Sequence, residues 1–239
     1  MTTMNEATRD KLMGVSVATL CSALYKRGLR NQTIQDVRPV RPKGRNMVGP
    51  AFTLRYMPAR EDRNPMSVFR DPKHPQRHAI ETCPQGAVLV MDSRKDARAA
   101  SAGDILITRL MVRGGAGVVT DGGFRDSMAI AELDMPAYHH RPSSPTNLTL
   151  HEAIDINVPI GCGDVPVFPG DVVVGDDDSV IVIPSEIADE IAEEAVEMTA
   201  YEDFVVERVR AGHTITGLYP ATDEANLALF AEWRAKAGR

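Results

Sequence analysis

Three side chains in this sequence, Asp104, Arg125 and Asp126, have the types and spacing that chemistry on a small anion needs. They bound the stretch D-I-L-I-T-R-L-M-V-R-G-G-A-G-V-V-T-D-G-G-F-R-D, which reads as a helix opening on an acid, a Gly-Gly turn, a buried strand and a glycine-flanked loop. A planar guanidinium matches a carboxylate or an enolate oxygen, which suits Arg125 to developing negative charge. Aspartate oxygens suit a hard cation such as Mg2+ or Mn2+, and magnesium keeps several waters while taking one or two protein carboxylates. Asp126 as direct ligand, with Asp104 steering a bound water, meets that demand. The amides of Ile105 and Leu106, just after Gly103, belong to the first helical turn and suit a substrate carboxylate. The competing structural readings are a helix-start acid at Asp104 and a surface ion pair at Arg125-Asp126.

The surrounding elements must bring the two ends of this stretch together. From His78 a helix precedes Pro84-Gln-Gly86, residues 87–91 form an unbroken apolar strand, and 104–113 is helical. A second buried strand at 116–120, a short helix at 125–133 and a strand at 137–139 follow. Helices alternating with continuously apolar strands point to a three-layer α/β core. Ligands of open α/β sheets bind beyond the carboxyl ends of the strands. Upstream, residues 5–28 carry apolar positions at helical spacing and read as two short helices split near Gly14, with Ser16 capping the second. Residues 51–57 alternate as a strand, and the charged, proline-rich segment 58–75 is an excursion expected to shape the distal pocket. Past residue 155, short strands at 158–160, 165–167, 171–174 and 180–183 read as a β-rich layer beside the α/β part. Ser185 then opens a long acidic helix, 186–210, with capping chemistry at its first turn, and the tail from Gly217 adds another. With no internal repeat or linker, the expectation is a single domain over residues 1–239.

Composition narrows the partners. A net charge of −6 gives no electrostatic case for nucleic acid, and the local cluster Arg38, Arg41, Lys43 and Arg45 reads as a solvated loop. Cys21, Cys83 and Cys162 have no paired spacing, which suits free thiols in a reducing compartment. The N-terminus M-T-T-M-N-E-A-T-R-D lacks the apolar core of a signal peptide, and no run approaches the ~18 apolar residues of a membrane span. A cytoplasmic protein with neither membrane nor nucleic-acid partner is expected. Other motifs carry less: His139 and His140 point to opposite faces of a strand, Cys162 has no histidine nearby, and Asp176-Asp177-Asp178 reads as a turn. No lysine sits inside an apolar strand, where a desolvated Schiff-base amine belongs, so carbon–carbon cleavage here would call on a metal rather than an imine.

Asp104, twenty intervening residues and then Arg125-Asp126 resembles the D-x20-R-D signature of the RraA-like superfamily, which includes the 4-hydroxy-4-methyl-2-oxoglutarate / 4-carboxy-4-hydroxy-2-oxoadipate aldolases and the regulators of ribonuclease E activity. Val17–Leu24, Gly49–Thr53, Gly86–Asp92 and Phe168–Asp178 also look like family landmarks, with the likeness running over about residues 12–215 and leaving 216–239 as a C-terminal helical extension. The resemblance implies an α/β, swivelling β/β/α fold of the phosphohistidine-domain type, assembled as a trimer or a hexamer with sites at subunit interfaces. It implies Mg2+ or Mn2+ bound by Asp126, with Asp104 reaching it through water. Arg125 would stabilise an enolate while Gly103, Ile105 and Leu106 hold a substrate carboxylate. A neighbouring subunit's C-terminal helix would add a carboxylate through water, matched here by Glu202 or, as the alternative, Asp203. Two positions depart from the pattern: Ala129 stands where an acid usually follows the signature, and Ser22 where relatives often carry Asp.

The function expected from these residues is metal-dependent retro-aldol cleavage of a 4-hydroxy-2-oxo acid to release pyruvate, with oxaloacetate decarboxylation as a side reaction through the same enolate. The alternatives are a non-catalytic regulator of a protein partner and a metal-dependent hydratase or dehydratase of a sugar-derived acid.

Overall fold

The computed structural model of the chain describes residues 4–238, so the first three residues and Arg239 of the expected single domain lie outside the described residues. After α1 (Glu6–Met13) and α2 (Val17–Lys26) come β1 (Arg38–Pro39) and the long β2 (Met47–Pro58). Next are α3 (Pro75–Thr82), β3 (Val88–Asp92), β4 (Ala100–Ala102), α4 (Asp104–Val112), β5 (Gly117–Thr120) and β6 (Gly123–Phe124). Then α5 (Ser127–Glu132), β7 (Ala137–His139), β8 (Arg141–Pro142), β9 (His151–Ile156), β10 (Ile160–Cys162) and β11 (Val165–Val167) follow. β12 (Val172–Gly175), β13 (Val180–Ile183), α6 (Ala188–Arg210) and α7 (Glu224–Ala237) complete the chain.

The main sheet runs β1-β7-β5-β3-β2-β12-β13, with β9 also on β2. β2, β3, β5 and β7 are parallel neighbours, while β12 and β9 pair antiparallel with opposite ends of β2. Register explains the unbroken apolar runs. Successive strand residues face opposite sides, and Phe52, Leu89 and Val118 stand in one row, Ala51, Val88 and Gly117 in the next. Phe52, Leu54, Leu89, Met91 and Val118 pack against Ile80, Ile107, Leu110 and Ile130 of the helices. Val88, Val90, Val119, Val173 and Val182 pack on the other face against Ile160, Cys162, Val165 and Val167. That second face is covered by the β10–β11 hairpin rather than by helices. Val48, Val172, Val174, Ile181 and Ile183 lie on the helical side too, under α1, α2 and α6. The result is a β/β/α sandwich of the kind expected.

The expectation of a β-rich layer after residue 155 needs correction. β12 and β13 extend the main sheet through β2, and only β10 and β11 form a separate layer. β9, with its alternating His-Glu-Ala-Ile-Asp-Ile, was not foreseen. The Ser185 cap is also absent: Ser185–Ile187 make a 3-10 turn with no side-chain cap, and α6 begins at Ala188 with Asp189 and Glu190 facing its dipole. Ser16 does cap α2, accepting from the Thr19 amide at 3.1 Å. The basic cluster lies on an exposed loop, as expected, and short contacts tie that loop to α5. Lys43 Nζ donates to the Ala131 and Leu133 carbonyls at the C-terminus of α5, and Arg41 and Arg45 pair with Glu132 and Asp134.

A small second sheet positions the site. β4, β6 and β8 form three parallel strands in the order β4-β6-β8. Each continues the chain a few residues beyond a main-sheet strand. Under it lies a buried ring of hydroxyls: Ser101 Oγ is 2.7 Å from both Ser93 Oγ and Thr120 Oγ1, and the Gly122 amide donates to Thr120 Oγ1 at 3.0 Å. A Cβ on Gly122 would fall 2.6 Å from Ser93 Cβ, so only glycine passes here.

His139 is buried on the helical side, its ring stacked on Phe124 at 5.6 Å, with Nδ1 lacking a partner. Burial, then the Arg38 and His140 charges, lower its pKa to about 4. A histidine whose folded pKa lies below its unfolded value contributes stability above the unfolded pKa and loses it as pH falls through the folded one. Stability is therefore expected to decline from about pH 6.5 to pH 4 partly through His139. His139→Phe, which keeps the stacked ring, should flatten that decline in urea melts across this range; an unchanged slope removes His139 as a cause.

Candidate functional site

The parallel pairing of β4 with β6 sets two helix starts side by side. Ala102 lies opposite Phe124, and the Arg125 amide donates to the Ala102 carbonyl at 3.1 Å. The residues that follow, Gly103-Asp104 at the start of α4 and Arg125-Asp126 at the start of α5, therefore share one cavity of about 330 Å³. Ile105 and Leu106 line it as well, so every intrachain residue expected for the site meets there. The separation of the motif's halves in sequence is closed by a single strand pair.

Gly103 is the N-cap of α4, in extended conformation. A Cβ there would lie 2.8 Å from Arg125 Cγ and 3.0 Å from Asp126 Oδ2, so its absence lets these two side chains cross the helix start. Asp126 sits in the left-handed region at φ 57, ψ 35, a conformation that costs most residues energy and that Asp and Asn tolerate best. It occupies the N-cap position of α5 yet makes no side-chain cap bond; its carboxylate instead accepts from Arg125 Nε at 3.2 Å. An exposed pair of this kind adds about 0–1 kcal/mol, too little to account for a strained backbone. The arrangement is better matched to ligand binding than to stability.

Asp104 is the first residue of α4, and its Oδ1 accepts from the Ile105 amide at 2.8 Å. The Leu106 amide donates to the Gly103 carbonyl at 3.2 Å. Both donors assigned to a substrate carboxylate are thus engaged within the chain, one of them by a carboxylate. Asp104 and Asp126 bring hard oxygen donors to one cavity, and no group of three His, Cys, Asp or Glu is assembled anywhere among the described residues. Such a donor set fits a cation that keeps most of its waters, as Mg2+ and Mn2+ do, and does not fit zinc or an all-protein cage.

Glu202 stands apart from this cavity. It lies on α6, where its carboxylate accepts from Thr19 Oγ1 at 2.7 Å, and with Ser22 and Tyr219 it lines a separate depression; Asp203 is exposed beside it. Within the chain it and Asp126 line different cavities. Ala129 is exposed on α5. The other candidates are structural: Cys162 is buried with its thiol pKa pushed well up by desolvation, and Asp176 accepts from the amides of Val17, Asp178 and Ser179. The excursion does shape the pocket, through Met66 and Phe69 of the 3-10 turn Met66–Arg70. Gln76, Arg77, Thr146 and Asn147 complete the lining and were not foreseen. Pro75 at the first position of α3 was the available signal, since proline there marks a helix start and fixes which residues follow on its first turn.

Two exposed apolar side chains border the cavity, Met66 at 68% and Ile105 at 78% accessible, and Met128 on the first turn of α5 is 81% accessible. No helix among the described residues is long and apolar enough to cross a membrane.

A sequence model of the RraA-like family, described as aldolase/RraA, matches residues 17–182. A protein of Halalkalibacterium halodurans provisionally named 4-hydroxy-4-methyl-2-oxoglutarate aldolase is 30% identical over 188 residues, covering 79% of this chain and 82% of its own. Protein DlpA of Legionella pneumophila is 23% identical over 206 residues, which are 86% of this chain but only 32% of DlpA. Streptomyces coelicolor RraAS2, described as an unusual member of the RNase ES inhibitor RraA protein family, superposes with a TM-score of 0.75 at 30% identity over 85% of this chain and 98% of its own. An uncharacterised Pseudomonas syringae protein shares the fold, with a TM-score of 0.79 at 22% identity over 91% of this chain and 95% of its own.

Gly103→Ala tests the crossing directly. The φ of −126 is open to alanine, so the added methyl acts only on Arg125 and Asp126. Ligand binding at the cavity should weaken by roughly tenfold or more while the melting temperature stays within a few degrees; calorimetry and thermal melts on the same sample read both.

Proposed function

The chain belongs to the RraA-like family, and on that premise we propose that it is a divalent-metal-dependent lyase cleaving a 4-hydroxy-2-oxo acid to release pyruvate. The observation that carries this reading is Asp126: a strained, uncapped aspartate held beside Arg125 and facing Asp104 across one cavity. Asp126 would hold Mg2+ or Mn2+ directly and Asp104 through water. When bound, the cation supplies Lewis acidity to the carboxylate and 2-oxo oxygens of the keto acid.

The chain's own groups account for the rest. The amides of Ile105 and Leu106 receive the C1 carboxylate once Asp104 turns away from the first of them. Asp104 then serves as the base that draws the proton from the 4-hydroxyl, through an intervening water. As that O–H pair becomes the new carbonyl, the C3–C4 bond breaks and its electrons form the enolate of pyruvate. Arg125 donates to the enolate oxygen, stabilising charge that is absent from the ground state. Protonation at C3 completes pyruvate. Oxaloacetate would lose CO2 through the same enolate.

We further propose that the active unit is a homotrimer or homohexamer, with the exposed Met66 and Ile105 at the cavity covered by a neighbour that brings Glu202 to the metal's waters. A different reading, a regulator acting by binding a protein partner, draws on the likeness to the Streptomyces protein. It gives the strained Asp126 and the converging carboxylates no task.

Pyruvate release from oxaloacetate or 4-hydroxy-4-methyl-2-oxoglutarate, dependent on Mg2+ and abolished by EDTA, is the expected outcome; no turnover on any 4-hydroxy-2-oxo acid would favour the regulator. Arg125→Ala should lower kcat by about 100- to 1,000-fold with little change in melting temperature. Asp126→Asn keeps the left-handed backbone and should lose Mg2+ binding in calorimetry. Mixing unfolded Arg125→Ala and Glu202→Gln chains and refolding them together should restore part of the activity that each lacks alone. No complementation would place Glu202 outside the site.

A further inference from the structure

Glu202 is held differently from the glutamates that precede it on α6. Glu190 and Glu194 pair with Arg27, Glu194 also with Lys26, Glu193 with Lys11, and Glu197 with Arg234. Each of those carboxylates meets a cation. Glu202 meets two hydroxyls instead: Oε2 accepts from Thr19 Oγ1 at 2.7 Å, and Oε1 accepts more weakly from Tyr219 Oη at 3.5 Å. Lys26 lines the same depression, but its Nζ is turned to Glu194 at 2.9 Å. Among the described residues no ion pair neutralises Glu202.

The protons on these hydroxyls have one consistent arrangement. A carboxylate has no proton to give, so Thr19 must donate its single hydroxyl proton to Glu202. Ser16 Oγ lies 2.9 Å from Thr19 Oγ1 and must then donate to it, while accepting from the Thr19 amide at 3.1 Å. The N-cap of α2 thus fixes the Thr19 hydroxyl, and that hydroxyl fixes Glu202. Thr19 is buried, which keeps bulk water from taking its place. A neutral hydroxyl restrains a carboxylate without cancelling its charge, whereas the ion pairs elsewhere on α6 do cancel it. A simple packing tie between α2 and α6 needs no such distinction. We propose that Thr19 is a positioning residue for the site of a neighbouring copy: it holds Glu202 as an unneutralised anion at the edge of its depression, aimed for the waters of that neighbour's metal. This rests on the lyase reading and on the place of Glu202 in it.

Thr19→Val keeps the shape and removes the donor, and Thr19→Ser keeps the donor. With oxaloacetate or 4-hydroxy-4-methyl-2-oxoglutarate and Mg2+, Thr19→Val should lower kcat roughly tenfold with KM within about twofold, while Thr19→Ser stays within about twofold of wild type. Both should melt within a few degrees of wild type. Mixtures of unfolded chains, refolded together, separate an action on the neighbour from one on the same chain. Thr19→Val with Arg125→Ala should exceed the mean of its two parents severalfold, because the Arg125→Ala chain brings a well-held Glu202 to an intact Arg125. Thr19→Val with Glu202→Gln should only match that mean, since both are defective in the same half of the site. The opposite pattern, or gain in neither mixture, overturns the assignment. A Thr19→Val rate equal to wild type also overturns it and leaves the lyase reading standing. If the wild type turns over no 4-hydroxy-2-oxo acid and no oxaloacetate, the reaction is refuted and calorimetry with Mg2+ alone decides. Weaker Mg2+ binding in Thr19→Val but not in Thr19→Ser then keeps Thr19 as a positioning residue, and equal binding in all three proteins removes it.

Discussion

The site depends on one pairing, that of β4 with β6. Two or three residues on each side, joined in parallel and fixed by the Arg125 amide on the Ala102 carbonyl, bring α4 and α5 to a common origin. Parallel strands carry their following helices away in the same direction, so the first turns lie together and border one space. Each functional group then follows from its place in the chain: Asp104 leads one helix, and Arg125-Asp126 lead the other. A strand pair this short has little stability of its own. The hydroxyl ring of Ser93, Ser101 and Thr120 supplies the missing rigidity by tying β4 to the ends of β3 and β5.

Asp121 reinforces that tie from the opposite side. Fully buried, it accepts from the amides of Ser93 at 2.7 Å, Lys95 at 3.1 Å and Gly163 at 3.1 Å, joining the loops after β3 and β5 to the β10–β11 hairpin. Desolvation nonetheless raises its pKa to about 6, with the Asp92 charge adding to the rise against the three amides. Ionising this group is therefore an expense the fold accepts to hold the Asp121-Gly122 turn in place. Asp121 and Gly122, just upstream of Arg125-Asp126, serve architecture: the acid anchors the loop, and the glycine lets it pass Ser93.

Much of this was legible in the sequence, for identifiable reasons. The runs at 87–91 and 116–120 announced buried strands because both faces of the sheet are covered, and Ser16 announced α2 because its side chain completes the first turn. Asp104, Arg125 and Asp126 were legible as a group because their types and spacing are specific. The small sheet was not. Ala100-Ser-Ala102, Gly123-Phe124 and Arg141-Pro142 are too short to show a period and contain no β-branched residue. Arg77 was hidden for another reason. An arginine in a polar stretch reads as solvated, and only the fold sets it on Phe69 with a shielded Nε.

The contact between Asp104 and the Ile105 amide gives the site a defined resting state. A carboxylate already fills the helix N-terminus, where the dipole favours negative charge, so on the proposed reading an arriving keto acid would exchange one anion for another. The exchange costs less than filling an empty donor would gain, which weakens ground-state binding of the C1 carboxylate. On that reading the exchange would also free Asp104 in the same movement that seats the substrate. A base released only on occupancy is held where it is needed and restrained when it is not.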